Sequence, residues 1–173
     1  MKIIVAISGS SGSKLGLKVL EKLPLEYEKH LIVTDHADIV LEKEHDIILH
    51  KNEEIWASIA SGSFGADAMM ITPCSMNTLA KISVGIADNL ITRAAAVMIK
   101  ERKDLLLAPR ELPLSAIALE NMQKLATLGV IMAPPIMGFY SEHQTVEDME
   151  NFIIGRWFDQ LKIPHNLYKR WEG

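Results

Sequence analysis

Three short stretches of this chain combine small, polar and charged residues in patterns suited to holding an anion. The first is Ser8-Gly9-Ser10-Ser11-Gly12-Ser13, directly after the apolar, β-branched run 2–7 and directly before a helical pattern that begins at Lys14. Glycine tolerates the backbone conformations that turn amides outward, and a helix N-terminus adds partial positive charge, so a strand, loop and helix here form a cradle for an anion. A tight turn whose hydroxyls only cap the helix is the competing reading. Neither the dinucleotide fingerprint GxGxxG nor the phosphate loop GxxxxGK[ST] is present; the spacing is GxxGxxxG, at Gly9, Gly12 and Gly16. The second stretch is Pro73-Cys74-Ser75-Met76-Asn77-Thr78. Its hydroxyls and amides precede a helix, where they either hold a polar ring edge or, in the case of Ser75, simply cap the N-terminus. The third is Pro109-Arg110-Glu111, which places a cation and a carboxyl immediately after a strand, where side chains are rigidly positioned.

Further cations are spread along the chain. Met149, Phe152, Ile153 and Trp157 define the apolar stripe of the last helix, and Arg156 stands three and four residues from Ile153 and Phe152, at that stripe. A boundary guanidinium needs a partner, and Glu111, a substrate phosphate or a purely structural ion pair would serve. Arg93 and Lys100, seven residues apart, share a helix face, although Lys100 is also explained by the helix dipole. Trp56, Tyr140 and Trp171 fall outside the helical stripes; for Trp56 and Trp171 ordinary packing is the commoner fate. Metal spacing is lacking around His36, His45 and His50, no GxSxG elbow occurs, and Cys74 beside a proline and an apolar strand reads as a buried, inert thiol.

These residues need a scaffold that brings them together. Apolar runs 2–7, 30–34, 68–72, 105–108 and 130–133 read as strands, with a short extra one at 46–49. Helical patterns follow at 14–23, 76–84, 89–102, 115–128 and 145–161, with a brief one at 56–60; Asp88 is the expected cap of the third, and Thr145 with Asp148 a capping box for the last. The third main strand should stop at Pro73. Five-fold alternation of strand and helix calls for a mostly parallel sheet covered on both faces, an α/β, Rossmann-like or flavodoxin-like sandwich, with 173 residues suiting a single domain over 1–173. In such sheets ligands bind beyond the carboxyl ends of the strands. Residues 9–11, Thr34, 73–78, 109–111 and 138–140 all follow strands and would line one crevice. The net charge of -4 gives no reason to expect nucleic acid or an acidic membrane as partner. One cysteine, no long apolar span and no leader pattern before the first strand lead to an expected cytoplasmic location.

Several of these motifs are recognisable end to end. SGSSG (8–12), Thr34 followed by Glu44, SGSF (61–64), PCSMNTLAKI (73–82), GIADNLITRAAAVMIKER (85–102), PRE (109–111), LENMQKLATLG (119–129), GFY (138–140), Arg156 and the terminal Arg170-Trp171 resemble the UbiX flavin prenyltransferases. That family lies within the homo-oligomeric flavin-containing cysteine decarboxylase superfamily. PCSxxT and DNL are shared with the wider group; PRE, GFY and the late arginine are the specific part.

The resemblance implies an enzyme that joins a dimethylallyl group, from dimethylallyl monophosphate, to N5 and C6 of reduced FMN, without a metal. Its product, prenylated FMN, would serve UbiD-type decarboxylases, and similar proteins assemble as dodecamers. By the same resemblance Gly9, Ser10, Ser11, Thr34, Ser75, Met76, Asn77, Thr78 and Arg110 would hold FMN. Arg93, Lys100, Glu111, Tyr140, Arg156 and Trp171 would surround the prenyl phosphate, some of them arriving from neighbouring subunits. Glu111 would give a proton to the departing phosphate, while Ser11 and Glu44 would handle protons near N5. Neutralising the leaving phosphate with cations and one protonated carboxyl is what cleavage at an allylic carbon requires. The sequence departs from the family where Thr34-Asp35-His36-Ala37 replaces the usual Ser/Thr-Lys-Ala-Ala. Two rival functions are an FMN-dependent decarboxylase of peptidyl-cysteine or phosphopantothenoylcysteine type and a non-catalytic flavin carrier.

Overall fold

A computed structural model of the chain describes residues 1–9, 12–34, 46–138 and 145–170. The first apolar run forms strand β1 (Lys2–Ile7), followed by helix α1 (Ser13–Lys22), β2 (Glu28–Val33) and β3 (Ile47–Lys51). Two 3-10 turns, Ser58–Ala60 and Gly62–Phe64, lead into β4 (Ala68–Cys74), α2 (Met76–Ser83), α3 (Leu90–Lys100) and β5 (Asp104–Pro109). α4 (Ala116–Thr127), β6 (Ile131–Met132) and α5 (Val146–Gln160) follow. Among the described residues six strands, one more than the five-fold alternation counts, form one parallel sheet in the order β3-β2-β1-β4-β5-β6. The short strand expected near 46–49 is therefore real and sits at the edge.

Strand residues alternate between the two faces. Ile3, Val5 and Ile7 of β1 pack with Met70 and Leu106 against Val19 and Leu20 of α1 and Phe152, Trp157 and Phe158 of α5. Ile4 and Ala6 join Met69, Ile71 and Leu107 against Leu79 of α2, Ala94 and Met98 of α3 and Leu125 of α4. Burial on both faces explains why these strands read as unbroken apolar runs, and each such side chain removed from water contributes roughly 1.5–3 kcal/mol.

Several local expectations are corrected. β4 runs through Pro73 to Cys74 with a cis Thr72-Pro73 peptide, and pairing to β5 resumes at Cys74 with Pro109 after a register shift. Proline removes only a donor; its carbonyl still accepts from Ser8 N at 3.1 Å. Asn89, not Asp88, caps α3, in a reciprocal box with Thr92, while Asp88 pairs with Lys81 at 2.6 Å. The brief helix expected over 56–60 is reduced to the single 3-10 turn at Ser58–Ala60, and Trp56, expected to be packed, is 79% exposed. The capping box of Thr145 and Asp148 opens α5 as its sequence suggests.

The chain winds outward from β1 to β3, returns beside β1 as β4, and winds the other way to β6. Strand order thus reverses between β1 and β4, where loops leaving in opposite directions open a crevice. α1 leans closely on this boundary. A Cβ at Gly16 would stand 2.3 Å from the Thr72 carbonyl oxygen and 2.8 Å from Ile7 Cγ1, so only glycine lets the helix approach. Among the described residues no helix is long and apolar enough to cross a membrane.

Candidate functional site

The crevice at the β1–β4 boundary is built by short-range hydrogen bonds between loops that are distant in sequence. Ser8 Oγ accepts from Ser75 N at 2.9 Å, tying the end of β1 to the end of β4. Gly9 N donates to Thr34 Oγ1 at 3.4 Å, which brings in the end of β2. Gly9 and Gly12 have φ values of 106° and 89°, in the left-handed region that favours glycine. Their missing side chains define the wall: a Cβ at Gly9 would lie 3.8 Å from Ser75 Cβ, and one at Gly12 would lie 3.5 Å from Arg110 Nε and 3.7 Å from Pro73 Cγ. Gly9, Thr34, Ser75 and Arg110 are therefore brought together, with Met76, Asn77 and Thr78 following Ser75 in the first turn of α2.

The chemistry of this set suits a phosphate and a polar ring. The N-termini of α1 and α2 both open at the crevice, and the exposed Arg110 adds a fixed cation beside Gly12. Ser75 Oγ accepts from Thr78 N at 3.2 Å and donates to Thr78 Oγ1 at 3.0 Å, so the capping reading of Ser75 is realised. Its hydroxyl is used structurally, and the backbone amides of the first turn of α2 are the groups left for a ligand. Residues and backbone thus fit a flavin mononucleotide: anion-binding helix ends, one guanidinium, and glycines where side chains would fill the cradle.

Beside it, Cys74 is fully buried, and burial pushes its thiol up to about 12, as expected of an inert cysteine. Glu111 is exposed at the rim next to Arg110, and its Oε1 accepts from Leu112 N at 3.2 Å.

The other cations are placed elsewhere. Arg93 and Lys100 are both exposed on α3. Lys100 ends that helix, ion-paired to Glu101, four residues before β5 begins at Asp104. β5 rises about 3.3 Å per residue, which separates the amino edge of the sheet, where Lys100 lies, from Arg110 by roughly 20 Å. One subunit does not bring Lys100 to the crevice. Arg156 stands beside Phe152 and Trp157 of the apolar stripe as expected, and of the partners expected for it the structure shows a structural ion pair: its side chain is 50% exposed, and Nη1 donates to Asp159 Oδ2 at 3.2 Å and to Tyr168 Oη at 3.4 Å. Arg156 borders a cleft of about 220 Å³ between α5 and the end of β6, lined by Met132, Pro134, Ile136, Phe152 and Trp157. Ser10, Ser11, Glu44, Tyr140 and Trp171 lie outside the described residues.

Two residues of consequence are missed by sequence reasoning. Ser8 is the hinge between β1 and β4, and only its position before Gly9 hints at this. Asp159 stands three residues after Arg156, a spacing that puts both on one helix side.

An open parallel sheet with an anion cradle at its switch point is the architecture of a nucleotide-binding α/β protein, and comparison with known proteins narrows it. The Flavoprotein family model matches residues 1–158. A flavin prenyltransferase UbiX of Helicobacter pylori is 46% identical over 184 residues, covering 99% of this chain and 98% of that one. The crystal structure of a dodecameric FMN-dependent UbiX-like decarboxylase from Escherichia coli superposes with a TM-score of 0.92 at 40% identity, covering 100% of both chains. AnUbiX, solved in complex with FMN and dimethylallyl pyrophosphate, superposes with a TM-score of 0.91 at 38% identity, covering 99% of this chain and 97% of that one. The chain belongs to the UbiX flavin prenyltransferase family of flavoproteins.

Proposed function

We propose that the protein is a flavin prenyltransferase that joins the dimethylallyl group of dimethylallyl monophosphate to N5 and C6 of reduced FMN. The observation that carries this reading is the meeting of Gly9, Gly12, Thr34, Ser75 and Arg110 at the β1–β4 switch point, in a chain similar along its whole length to a protein solved with both FMN and a prenyl phosphate ester. Reduced FMN, when bound, supplies the nucleophilic N5 and C6. Arg110 and the amides at the N-termini of α1 and α2 hold its phosphate, and residues 75–78 face its ring edge. The carbon–oxygen bond to the phosphate must break, and Glu111 at the rim donates the proton that the departing phosphate oxygen takes up. Arg156, Arg93 and Lys100 neutralise that phosphate, with Tyr140 adding a hydrogen bond. Ser11 and Glu44 move protons at N5, and Trp171 offers an aromatic face to allylic charge.

Because Lys100 and Arg110 lie at opposite ends of strand β5, the complete site combines residues of neighbouring subunits in a homo-oligomer, a dodecamer by similarity to the Escherichia coli protein. The prenylated FMN passes to a UbiD-type decarboxylase, and a reducing cytoplasmic compartment suits a reduced flavin substrate. Mass spectrometry of flavin extracted after anaerobic incubation with reduced FMN and dimethylallyl monophosphate tests the reading. Gain of one five-carbon unit is expected; unmodified flavin would refute it and leave the decarboxylase or carrier reading.

A further inference from the structure

Asp159 accepts from four donors. Its Oδ1 accepts from His165 Nε2 at 3.0 Å and Arg170 Nη2 at 2.7 Å; its Oδ2 accepts from the Tyr168 hydroxyl at 2.5 Å and Arg156 Nη1 at 3.2 Å. Four donors fill the lone-pair capacity of a carboxylate. The Asp159 side chain is 15% exposed, whereas the Arg156 and Arg170 side chains that reach it are 50% and 60% exposed. A largely shielded anion therefore holds two cations that face outward. Two arginines thus share this one carboxylate.

The same carboxylate fastens the end of the chain. Tyr168 and His165 lie over Gly155, where a Cβ would stand 2.5 Å from Tyr168 Cδ1 and 2.9 Å from His165 Cε1. The Tyr168 ring meets Phe152 edge-on at 5.1 Å, and Arg170 lies 5.6 Å from the Tyr168 ring centre. Arg156 is thus fixed from two sides, by Asp159 on its own helix and by Tyr168 on the returning tail, with its Nη1 given to both. Guanidinium carries five N–H donors in a rigid fork, so committing Nη1 sets its plane.

We propose that Asp159 is a positioning residue for prenyl-phosphate capture: it orients the Arg156 guanidinium and links that orientation to the docked tail through Tyr168 and Arg170. Ordering a long side chain before the ligand arrives removes that cost from the binding step. The inference rests on Arg156 as a phosphate ligand, as proposed above, and adds the residue through which Arg156 is prepared.

A double-mutant cycle in the full-length protein tests it, with KM for dimethylallyl monophosphate, kcat and FMN affinity measured for Asp159→Asn, Arg156→Gln and the pair. Asp159→Asn should raise KM about tenfold, the loss expected from one charge-assisted hydrogen bond, with kcat and FMN affinity changed less than about twofold. In the Arg156→Gln background the same substitution should change KM less than about twofold, because its effect runs through Arg156. An equal rise in both backgrounds would show that Asp159 only holds the fold together and would overturn the proposal. So would an unchanged or lowered KM in the single variant. If Arg156→Gln alone leaves KM unmoved, the assignment of Arg156 fails and takes the proposal with it, an outcome distinct from the other two. Tyr168→Phe keeps the ring against Phe152 and removes one donor; should Asp159→Asn fail to fold, this variant must raise KM about threefold in the natural background and not beside Arg156→Gln.

Discussion

Gly16→Ala sets two physical effects against each other with opposite signs. In an exposed helix the change would favour folding by about 1 kcal/mol, since alanine is the better helix former. Here the new methyl would stand 2.3 Å from the Thr72 carbonyl oxygen and 2.8 and 2.9 Å from Ile7 Cγ1 and Cδ1. The Ile7 side chain can shift its tip, but the Thr72 carbonyl belongs to β4, a fully buried strand held by pairing to β5 at Ile71 before it and Cys74 after it. α1 must therefore move outward by about 1 Å, opening contacts along Val19 and Leu20, and overpacking of this kind costs about 3 kcal/mol. The net loss is about 2 kcal/mol, a fall in Tm of roughly 4–8 °C for a chain of this length. Displacing α1 also moves Gly12 and the helix N-terminus away from Arg110, so FMN binding should weaken about tenfold. Thermal unfolding followed by circular dichroism and a flavin fluorescence titration measure the two effects. A Tm equal to or above that of the natural protein would show that α1 does not press on β4 as described.

Arg110→Ala should lower FMN affinity about 10–100-fold; undiminished flavin quenching would refute its role. Glu111→Gln should keep FMN affinity and slow prenyl transfer about a hundredfold or more, measured by chromatography of the product, and unchanged turnover would remove it as the proton donor. Acid stability should report Asp159. Burial alone would push its carboxyl up, but hydrogen bonds from Tyr168, Arg170 and His165 outweigh that and hold it at about 2. A depressed carboxylate stabilises the fold above its ordinary value near 3.8 and loses that contribution, about 2 kcal/mol, as pH falls from there through 2. Urea unfolding across this window should be flatter for Asp159→Asn than for the natural chain. His50 works in the same direction at higher pH: burial and the neighbouring His30 lower its pKa, so stability should decline as pH falls below about 6.5, and a denaturation midpoint that rises on acidification would contradict this.

The sequence by itself determined the alternation of strands and helices, the parallel sheet and the position of the glycine–serine loop, because unbroken apolar runs belong only to strands covered on both faces. It also marked the helix starts at Ser75, Ser115 and Thr145, where a short hydroxyl reaches the third amide of its own helix. All these signals are local, carried by neighbours within a few residues. What lies between distant segments was decided by tertiary structure alone. β4 continues past Pro73 because pairing there needs the proline carbonyl and not the missing donor. Asp88 was the expected cap of α3, yet Asn89 takes that place with Thr92 while Asp88 pairs with Lys81. Arg156 read as a boundary cation with three possible partners, and tertiary structure chose among them: the returning tail supplies Tyr168 and one turn of helix supplies Asp159. Lys100 and Arg110 are close in sequence and lie at opposite ends of β5, since a helix that runs back along a parallel sheet ends where the next strand begins. Periodicity records which face of an element is buried; it carries no information on which elements meet, and the flavin cradle is made of such meetings.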